Sequence, residues 1–154
     1  MARRSGPKLR PPRDGYRGEP LAAEHETILR LGREKDILAV RPDYAETIYQ
    51  AQKYVSVGRD PVERWEVFNT RTRLKLDPCT DLVKHSSELN WGYGGSGPAQ
   101  LSLALLVDYL GLTEPALGVY QDFKFRVIAK LPQNVPWNLR RYDIEVALLA
   151  SGRF

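Results

Sequence analysis

The chain of 154 residues is poor in thiol and imidazole groups, with one cysteine, Cys79, and two histidines, His25 and His85. A single thiol excludes an internal disulfide and is typical of proteins in a reducing compartment. One cysteine and two histidines also fall short of the four His and Cys ligands of a structural zinc site. We therefore predict no metal site and no cofactor.

Long apolar runs are also lacking. No stretch approaches the roughly 18 apolar residues that a membrane-spanning helix requires. The N-terminus is basic but does not continue into the apolar segment of a signal peptide. We therefore expect a cytoplasmic protein with no membrane partner.

Positive charge is concentrated at the N-terminus. Residues 1–17 carry one acid, Asp14, and six basic residues: Arg3, Arg4, Lys8, Arg10, Arg13 and Arg17. The segment has a charge of +5, so the other 137 residues sum to −1 in a chain of net charge +4. A cationic segment gains affinity for phosphate backbones because binding releases condensed counterions. We predict that these six side chains bind nucleic acid; the alternative is a solubilising segment that binds nothing specific.

Composition divides the chain into three parts. Residues 1–19, rich in proline and glycine, predict a disordered basic arm. Residues 20–53 predict a helical extension with one helix over 21–31 and a second from Asp43 to about Lys53. The second helix is indicated by Glu46, three residues after Asp43, which is the spacing of a capping box. Residues 54–154 predict a compact domain.

Within this domain the strands precede the helices. The runs "YVSV", "RWEVFN" and "TRTRLKL" have strand composition and predict a short antiparallel meander. Three helices follow: one with Pro98 in its first position and Gly111 at its end, one from Thr113 to about Lys130, and one after Asn138. We predict the first of these to be the centre of the core. Segregated strands and helices indicate an α+β fold.

Residues 91–101, "WGYGGSGPAQL", contain four glycines before an apolar helix. The spacing of Gly92, Gly94 and Gly97 matches the dinucleotide fingerprint, but a buried strand before it and a second strand after its helix are missing. A weaker ligand loop remains open, in which amides and a helix N-terminus bind an anion and an aromatic ring stacks on a base. Its members are Trp91, Gly92, Tyr93, Gly94, Gly95, Ser96, Gly97 and Gln100. We favour the alternative, in which the glycines only permit a sharp turn and the rings cover the core.

Two further sets of side chains are candidates for function. Alternation places Arg71, Arg73 and Lys75 on one side of a strand, where they can follow a phosphate backbone, with Lys124, Arg126 and Lys130 as an extension. An ordinary solvated face is the alternative. His85 lies beside Ser86 and Ser87, but adjacency in sequence does not make a catalytic triad. We interpret the chain as non-enzymatic, with no catalytic residue assigned.

The region from residue 76 onwards resembles a family of small bacterial, archaeal and phage proteins known as a domain of unknown function. The resemblance covers about residues 54–150. It is carried by Leu76, Asp77, Pro78, Leu82, His85 and Ser86, by the run 91–106, by "YQDFKFRVIAKLP", and by Trp137, Leu139, Asp143, Ile144, Ala147 and Leu148. The resemblance implies a compact α+β domain that is frequent in phage or plasmid genomes. It implies no established activity.

These observations lead to three functional hypotheses. The first is a binding protein of a phage or mobile element that contacts nucleic acid, or a nucleic-acid-handling complex, through the basic arm and surface. The second is an inhibitor of a host defence or transcription protein, with apolar anchors such as Tyr44, Tyr49 and Trp65. The third is a binder of a small ligand or nucleotide at the glycine-rich loop.

Overall fold

A computed structural model describes residues 21–153 of the chain. The six basic residues predicted to bind nucleic acid, Arg3, Arg4, Lys8, Arg10, Arg13 and Arg17, lie outside the described residues, as does the predicted arm over 1–19. The first two helices are α1, Leu21–Leu31, and α2, Glu34–Val40. The predicted helix over 21–31 is confirmed. No helix in this part of the chain is long and apolar enough to span a bilayer.

Three strands form one antiparallel sheet in the order β2-β1-β3. Strand β1 is Thr47–Val55, β2 is Glu63–Asn69 and β3 is Trp137–Arg140. The predicted α+β class is confirmed. Since β1 is the central strand, both of its edges are hydrogen-bonded, to β2 on one side and to β3 on the other.

The predicted helix from Asp43 to Lys53 is wrong. Residues Pro42–Ala45 form a single 3-10 turn and β1 follows. Tyr44, Ile48 and Ala51 have the spacing of one helix face and all three are buried. They belong to two different elements, however, the 3-10 turn and β1. The β-branched and aromatic residues of β1 suit a pleated surface, and two neighbouring strands satisfy its backbone. The boundary predicted at residue 54 falls inside this strand.

The predicted strand in "TRTRLKL" is also wrong. Residues 70–73 form a turn in which the Asn69 carboxamide accepts hydrogen bonds from the backbone N–H groups of Arg71 and Thr72. Beyond the turn, only Lys75 forms a bridge to β2, opposite Phe68. Leu74, which in such a strand would lie on the side opposite Arg73 and Lys75, is exposed. The Asn69 side chain ends the strand here. It accepts hydrogen bonds from two backbone N–H groups that would otherwise bond to a neighbouring strand.

The third strand comes from the residues predicted to open the last helix. Asn138 lies within β3 and does not cap a helix. Helix α5, Arg141–Ala150, begins after Arg140, whose backbone N–H donates to the Asp143 carboxylate at 3.1 Å. A carboxylate in the first helical turn satisfies an otherwise unpaired donor, so the start of the helix moves two residues downstream.

Helix α3, Ser96–Leu110, is the centre of the core, as predicted: 13 of its 15 residues are buried. It ends at Gly111, which has a φ of 70° and is left-handed, as predicted. Its N-cap is Gly95, so Pro98 is the third helical residue and not the first. The Asp108 carboxylate accepts hydrogen bonds from the Tyr49 hydroxyl and the Asn69 amide, both at 2.7 Å, and joins α3 to the sheet.

Helix α4, Thr113–Arg126, packs against α3 and stops before the predicted end at Lys130. Residues Ile128–Lys130 form a separate 3-10 turn. This turn approaches the glycine-rich loop, because the Gly92 N–H donates to the Ile128 carbonyl at 3.0 Å. The end of α4 and the start of α3 therefore lie side by side and frame one surface of the protein.

Candidate functional site at the glycine-rich loop

The glycine-rich loop, residues 91–97, begins with a backbone conformation that requires glycine. Gly92 has a φ of 85°. A Cβ atom there would collide with the Gln133 side chain and would lie 2.9 Å from the Leu131 carbonyl oxygen. The Gln133 amide donates to the Gly92 carbonyl at 3.0 Å. This part of the loop is a tight structural corner, as we predicted from the sequence.

The next glycines allow two aromatic rings to lie against the backbone. A Cβ on Gly95 would collide with the Tyr93 ring, and one on Gly94 would lie 2.9 Å from the Phe125 ring of α4. Both rings are open to solvent, with exposures of 42% for Tyr93 and 58% for Phe125. Stacking surfaces of this kind are typical of proteins that bind nucleobases.

Trp91 points the other way and belongs to the core, with an exposure of 2%. Its indole N–H donates to the Pro132 carbonyl at 2.9 Å. Its ring lies edge-to-face against Trp65 of β2 and Trp137 of β3, with centroid distances of 5.5 Å in both pairs. Trp91 therefore joins the loop to both outer strands, and the structure places it where no ligand can stack on it.

A buried lysine lies beside the exposed ring of Phe125. Lys124 has an exposure of 7%, and its ammonium nitrogen lies 4.3 Å from the centroid of the Phe125 ring. Among the described residues, no hydrogen bond or ion pair to Lys124 occurs. Sequence reasoning named Lys124 only as a surface extension and missed Phe125. A detectable signal was the position of Lys124 four residues after Tyr120, which is buried too, because residues four apart lie on the same face of a helix.

The start of α3 completes the loop. The helix has no side-chain cap and no acidic residue in its first turn. The backbone N–H groups of Ser96 and Gly97 have no hydrogen-bond partner within the described range, and Ser96 is exposed. Unpaired amides and the helix dipole favour negative charge at this end of α3.

Gln100, named above as a member of the possible ligand loop, is instead fully buried and binds the backbone of residues 78–86. Its carbonyl oxygen accepts hydrogen bonds from the backbone N–H groups of His85 and Ser86, at 2.7 and 3.3 Å. Its amide donates to the carbonyls of Pro78 and Val83, at 2.6 and 3.0 Å. These four bonds satisfy the backbone of an irregular segment, which is a structural role.

His85 is held by this segment and by α4. Its Nε2 atom lies 2.7 Å from the Tyr120 hydroxyl, so these two groups share a hydrogen bond. Ser86 and Ser87 follow in the chain, and the Ser86 hydroxyl accepts from the Glu88 N–H at 3.1 Å. The arrangement orients the segment 78–90, and it does not form the nucleophile, base and carboxylate relay of a hydrolase.

The predicted basic set Arg71, Arg73 and Lys75 does not form a continuous strand face. The Arg71 guanidinium donates to both carboxylate oxygens of Glu46, at 2.9 and 2.6 Å, and Lys75 pairs with Glu66 at 3.1 Å. Arg73 is exposed, with a φ of 59°, and has no carboxylate partner in the described part of the chain. Of the three, Arg73 is the cation that is open to a ligand.

A buried polar cluster connects α1, α3 and α5, and we did not predict it. The fully buried Glu145 carboxylate accepts a hydrogen bond from the Tyr109 hydroxyl and lies 3.8 Å from His25 Nε2 and 3.9 Å from Arg141 Nε. Arg141 also donates to Asp43 at 2.8 Å. Burial lowers the pKa of Arg141, but Tyr109, Glu145 and Asp43 outweigh this effect, so its pKa stays above the ordinary value. These contacts join four elements through charged groups.

Acid should destabilise the protein through two carboxylates near this cluster. Hydrogen bonds from Arg41 lower the pKa of Asp43, and hydrogen bonds from Arg71 lower that of Glu46, against an opposing effect of burial. A carboxylate with a depressed folded-state pKa contributes stability above its unfolded pKa, and this stability is lost as pH falls through the folded value. We expect the free energy of unfolding to decrease below about pH 4.

The variant Arg71→Gln should weaken this acid dependence, because Glu46 then has nearly the same pKa folded and unfolded. The expected loss at neutral pH is below about 1 kcal/mol, since the pair is partly exposed. Urea unfolding at stepped pH values measures both quantities. Arg73→Gln is the matched control, since Arg73 has no carboxylate partner in the described chain. Equal acid slopes for wild type and Arg71→Gln would contradict the assignment.

No group of three or more His, Cys, Asp or Glu side chains suited to a metal ion occurs in residues 21–153. What the loop surface offers instead is a set of binding groups. It combines two exposed rings, an ammonium group that lies over one of them, an exposed hydroxyl and two helix N-terminal amides.

Comparison with known proteins gives one match. A model of the family described as "Family of unknown function (DUF6166)" matches residues 55–150. No curated protein and no solved structure matches the chain. The comparisons therefore supply no activity, ligand or partner to transfer.

Proposed function

Because the chain belongs to the DUF6166 family through residues 55–150, and this family's function is unknown, we propose a function from the residues themselves. The protein is a non-enzymatic binding protein that contacts nucleic acid through its basic N-terminal segment and an adjoining surface of the domain. The observation that carries the proposal is the charge of +5 on residues 1–17, against −1 on the rest of the chain. Such a segment binds phosphate backbones by counterion release.

The domain adds two kinds of group that support this function. Tyr93 in the glycine-rich loop and Phe125 at the neighbouring end of α4 both expose aromatic rings. Exposed rings of this kind stack on unpaired bases. Arg73 exposes a guanidinium group that has no carboxylate partner among the described residues. Arg71 and Lys75 remain part of the proposed nucleic-acid-binding surface. Their ion pairs with Glu46 and Glu66 reduce the positive charge that they offer to a phosphate. Exposed rings favour a single strand over a duplex, whose bases are stacked on each other.

Removing residues 1–17 should lower affinity for a single-stranded oligonucleotide by about tenfold or more at moderate salt. The slope of log affinity against log salt should become shallower by about 4, since six cations each contribute roughly 0.7 on a single strand. Fluorescence anisotropy at several salt concentrations measures both. The control is a full-length chain in which the six basic residues are replaced by glutamine, which separates charge from length. An unchanged slope in both variants would overturn the proposal.

An exposed apolar hairpin favours a second candidate, a protein partner. Val57 and Val62, together with Tyr54 and Val55, are exposed where β1 turns into β2. The predicted anchors Tyr44 and Tyr49 are completely buried, and Trp65 is partly buried, so this hairpin takes their place as the candidate contact for an inhibitor of a host protein. A pull-down from nuclease-treated lysate tests this candidate. A protein that is retained by the wild type and lost by the double variant Val57→Ser/Val62→Ser favours a protein partner over nucleic acid.

The proposal extends to origin and location. A phage or other mobile element is the proposed source, on the strength of the sequence resemblance described above. The cytoplasm is the proposed location, because the chain has a single cysteine, Cys79, which excludes an internal disulfide and is typical of a reducing compartment.

A further inference from the structure

We propose that the outer edge of β2 binds an extended peptide segment of a partner protein and adds it to the sheet as a further strand. The site is the groove between residues 63–67 of β2 and the segments 75–78 and 87–90. The segment that fits this groove carries an apolar residue flanked by lysine or arginine. The inference goes beyond the nucleic-acid binding proposed above, and it depends neither on the basic N-terminal segment nor on the glycine-rich loop.

Unpaired backbone groups at the outer edge of β2 are the first observation. Successive residues of a strand direct their N–H and C=O groups to opposite edges. Val67 uses the edge away from β1, because its carbonyl accepts from the Leu76 N–H at 2.8 Å. Trp65 and Glu63, two and four residues earlier, direct their groups to the same edge. Among the described residues, none bonds to the backbone of Trp65 or Glu63 on this edge.

The chain itself covers only one end of the edge. Residues 74–76 run beside β2. The chain then turns, since the Asp77 carboxylate accepts from the Cys79 N–H at 2.9 Å. A groove of about 450 Å³ remains beside residues 63–67. An extended segment placed there continues the line of 74–76 and pairs with the open groups, because a free strand edge is a template for another chain.

The walls of the groove indicate which side chain the segment carries. Trp65 on one side, and Pro78 and Leu89 on the other, line the groove and are all half-buried. In strand addition the main chain supplies affinity, and pockets for alternate side chains supply specificity. An apolar side chain of the segment covers these three residues and removes their remaining apolar surface from water.

Charge selects the residues beside the apolar one. Among the side chains that line the groove, the carboxylates of Glu63, Glu66 and Glu88 outnumber the cations of Arg64 and Lys75. Both cations bind the same carboxylate, that of Glu66, at 3.0 and 3.1 Å. The exposed Glu88 has no ion pair in the described part of the chain. A lysine or arginine of the segment complements this charge, whereas the phosphates of a nucleic acid do not.

The test uses the full-length chain and labelled hexapeptides in which a central leucine is flanked by lysine, by serine or by glutamate. Fluorescence anisotropy should show saturable binding of the lysine peptide, and the glutamate peptide should bind about tenfold more weakly. Two further lysine peptides are N-methylated at alternate amides, each along one edge. Since a strand bonds to β2 through one edge only, one methylated peptide should bind like its parent and the other about tenfold more weakly.

Variants then locate the site on β2. Glu63→Pro removes the outward N–H and keeps the bonds to β1, because proline is tolerated at the first residue of a strand. It should weaken the lysine peptide about fivefold to tenfold, and Glu63→Gln, which keeps the N–H, is the matched control. Glu88→Lys should weaken the lysine peptide about tenfold and strengthen the glutamate peptide. The exposed Glu26→Lys on α1 should bind like the wild type.

Circular dichroism checks folding. If Glu63→Pro does not fold, hydrogen exchange of the Trp65 amide decides, because exchange should slow when the lysine peptide binds. No saturable binding of the lysine peptide, equal binding of the two methylated peptides, or equal affinities for wild type and Glu88→Lys overturns the site. A wild-type dimer that Glu63→Pro dissociates overturns it too, because a second copy then occupies the edge. Oligonucleotide binding without peptide binding removes this site and leaves the nucleic-acid proposal intact.

Discussion

Replacing Trp91 with alanine should lower the free energy of unfolding by about 3–5 kcal/mol, the usual cost of deleting a large buried ring. The side chain is 2% exposed and contacts Trp65 and Trp137 edge-to-face. Such ring pairs contribute about 0.5–1.5 kcal/mol each beyond the area they bury. The lost indole would also leave the Pro132 carbonyl without its donor. The effect is large because this one residue joins the loop, β2 and β3.

Urea unfolding followed by far-ultraviolet circular dichroism measures this loss without relying on the tryptophan signal. The matched control is Tyr93→Ala, two residues away, which removes an exposed ring and should change stability by less than about 0.5 kcal/mol. Trp91→Phe keeps a ring but loses the N–H donor, so its stability should fall between the two. If Trp91→Ala and Tyr93→Ala were equally destabilised, the core position of Trp91 would be refuted.

Replacing Gln100 with methionine should cost about 2–4 kcal/mol, although the two side chains have similar length. The Gln100 carboxamide makes four hydrogen bonds. It accepts two from backbone N–H groups and donates two to backbone carbonyls. Each contributes about 1 kcal/mol, and buried groups left without partners cost more. Methionine fills the volume, so the loss reports on the hydrogen bonds and not on a cavity.

Hydrogen exchange localises this effect. The amides of His85 and Ser86 should be protected in the wild type and should exchange faster in Gln100→Met, because the segment 78–90 would open locally. Gln133→Met is the control, since Gln133 is exposed and makes a single bond to the Gly92 carbonyl. Its expected cost is below about 1 kcal/mol. Unchanged exchange at His85 in Gln100→Met would show that Gln100 does not hold this segment.

The sequence was sufficient where a local pattern and the tertiary environment agree. The nearly continuous apolar residues of α3 predict a helix buried on most sides, and Gly111 marks its end because a left-handed residue is needed there. Gly92 likewise occupies a left-handed conformation at the predicted corner. These features depend on backbone preferences and on burial, which single residues and their spacing express directly.

The sheet was predicted only in part, because its pairing is non-local. Tyr44, Ile48 and Ala51 have helical spacing, yet β1 exists because β2 and β3 supply hydrogen bonds on both of its edges. Strand β3 has four residues, and its partner Ala51 is far away in the chain from Trp137. A strand this short carries too weak a local pattern to be recognised without its neighbour.

For the candidate site, the sequence by itself determined the glycine-rich loop, the aromatic residues within it and the separation of the +5 segment from a nearly neutral domain. Only the tertiary structure decided that Trp91 points into the core while Tyr93 points out, and that Lys124 is buried beside Phe125. The direction of a side chain depends on the backbone angles at its own residue and on which distant elements pack beside it. Trp65, Trp137 and the end of α4 set these directions, and they come from separate parts of the chain.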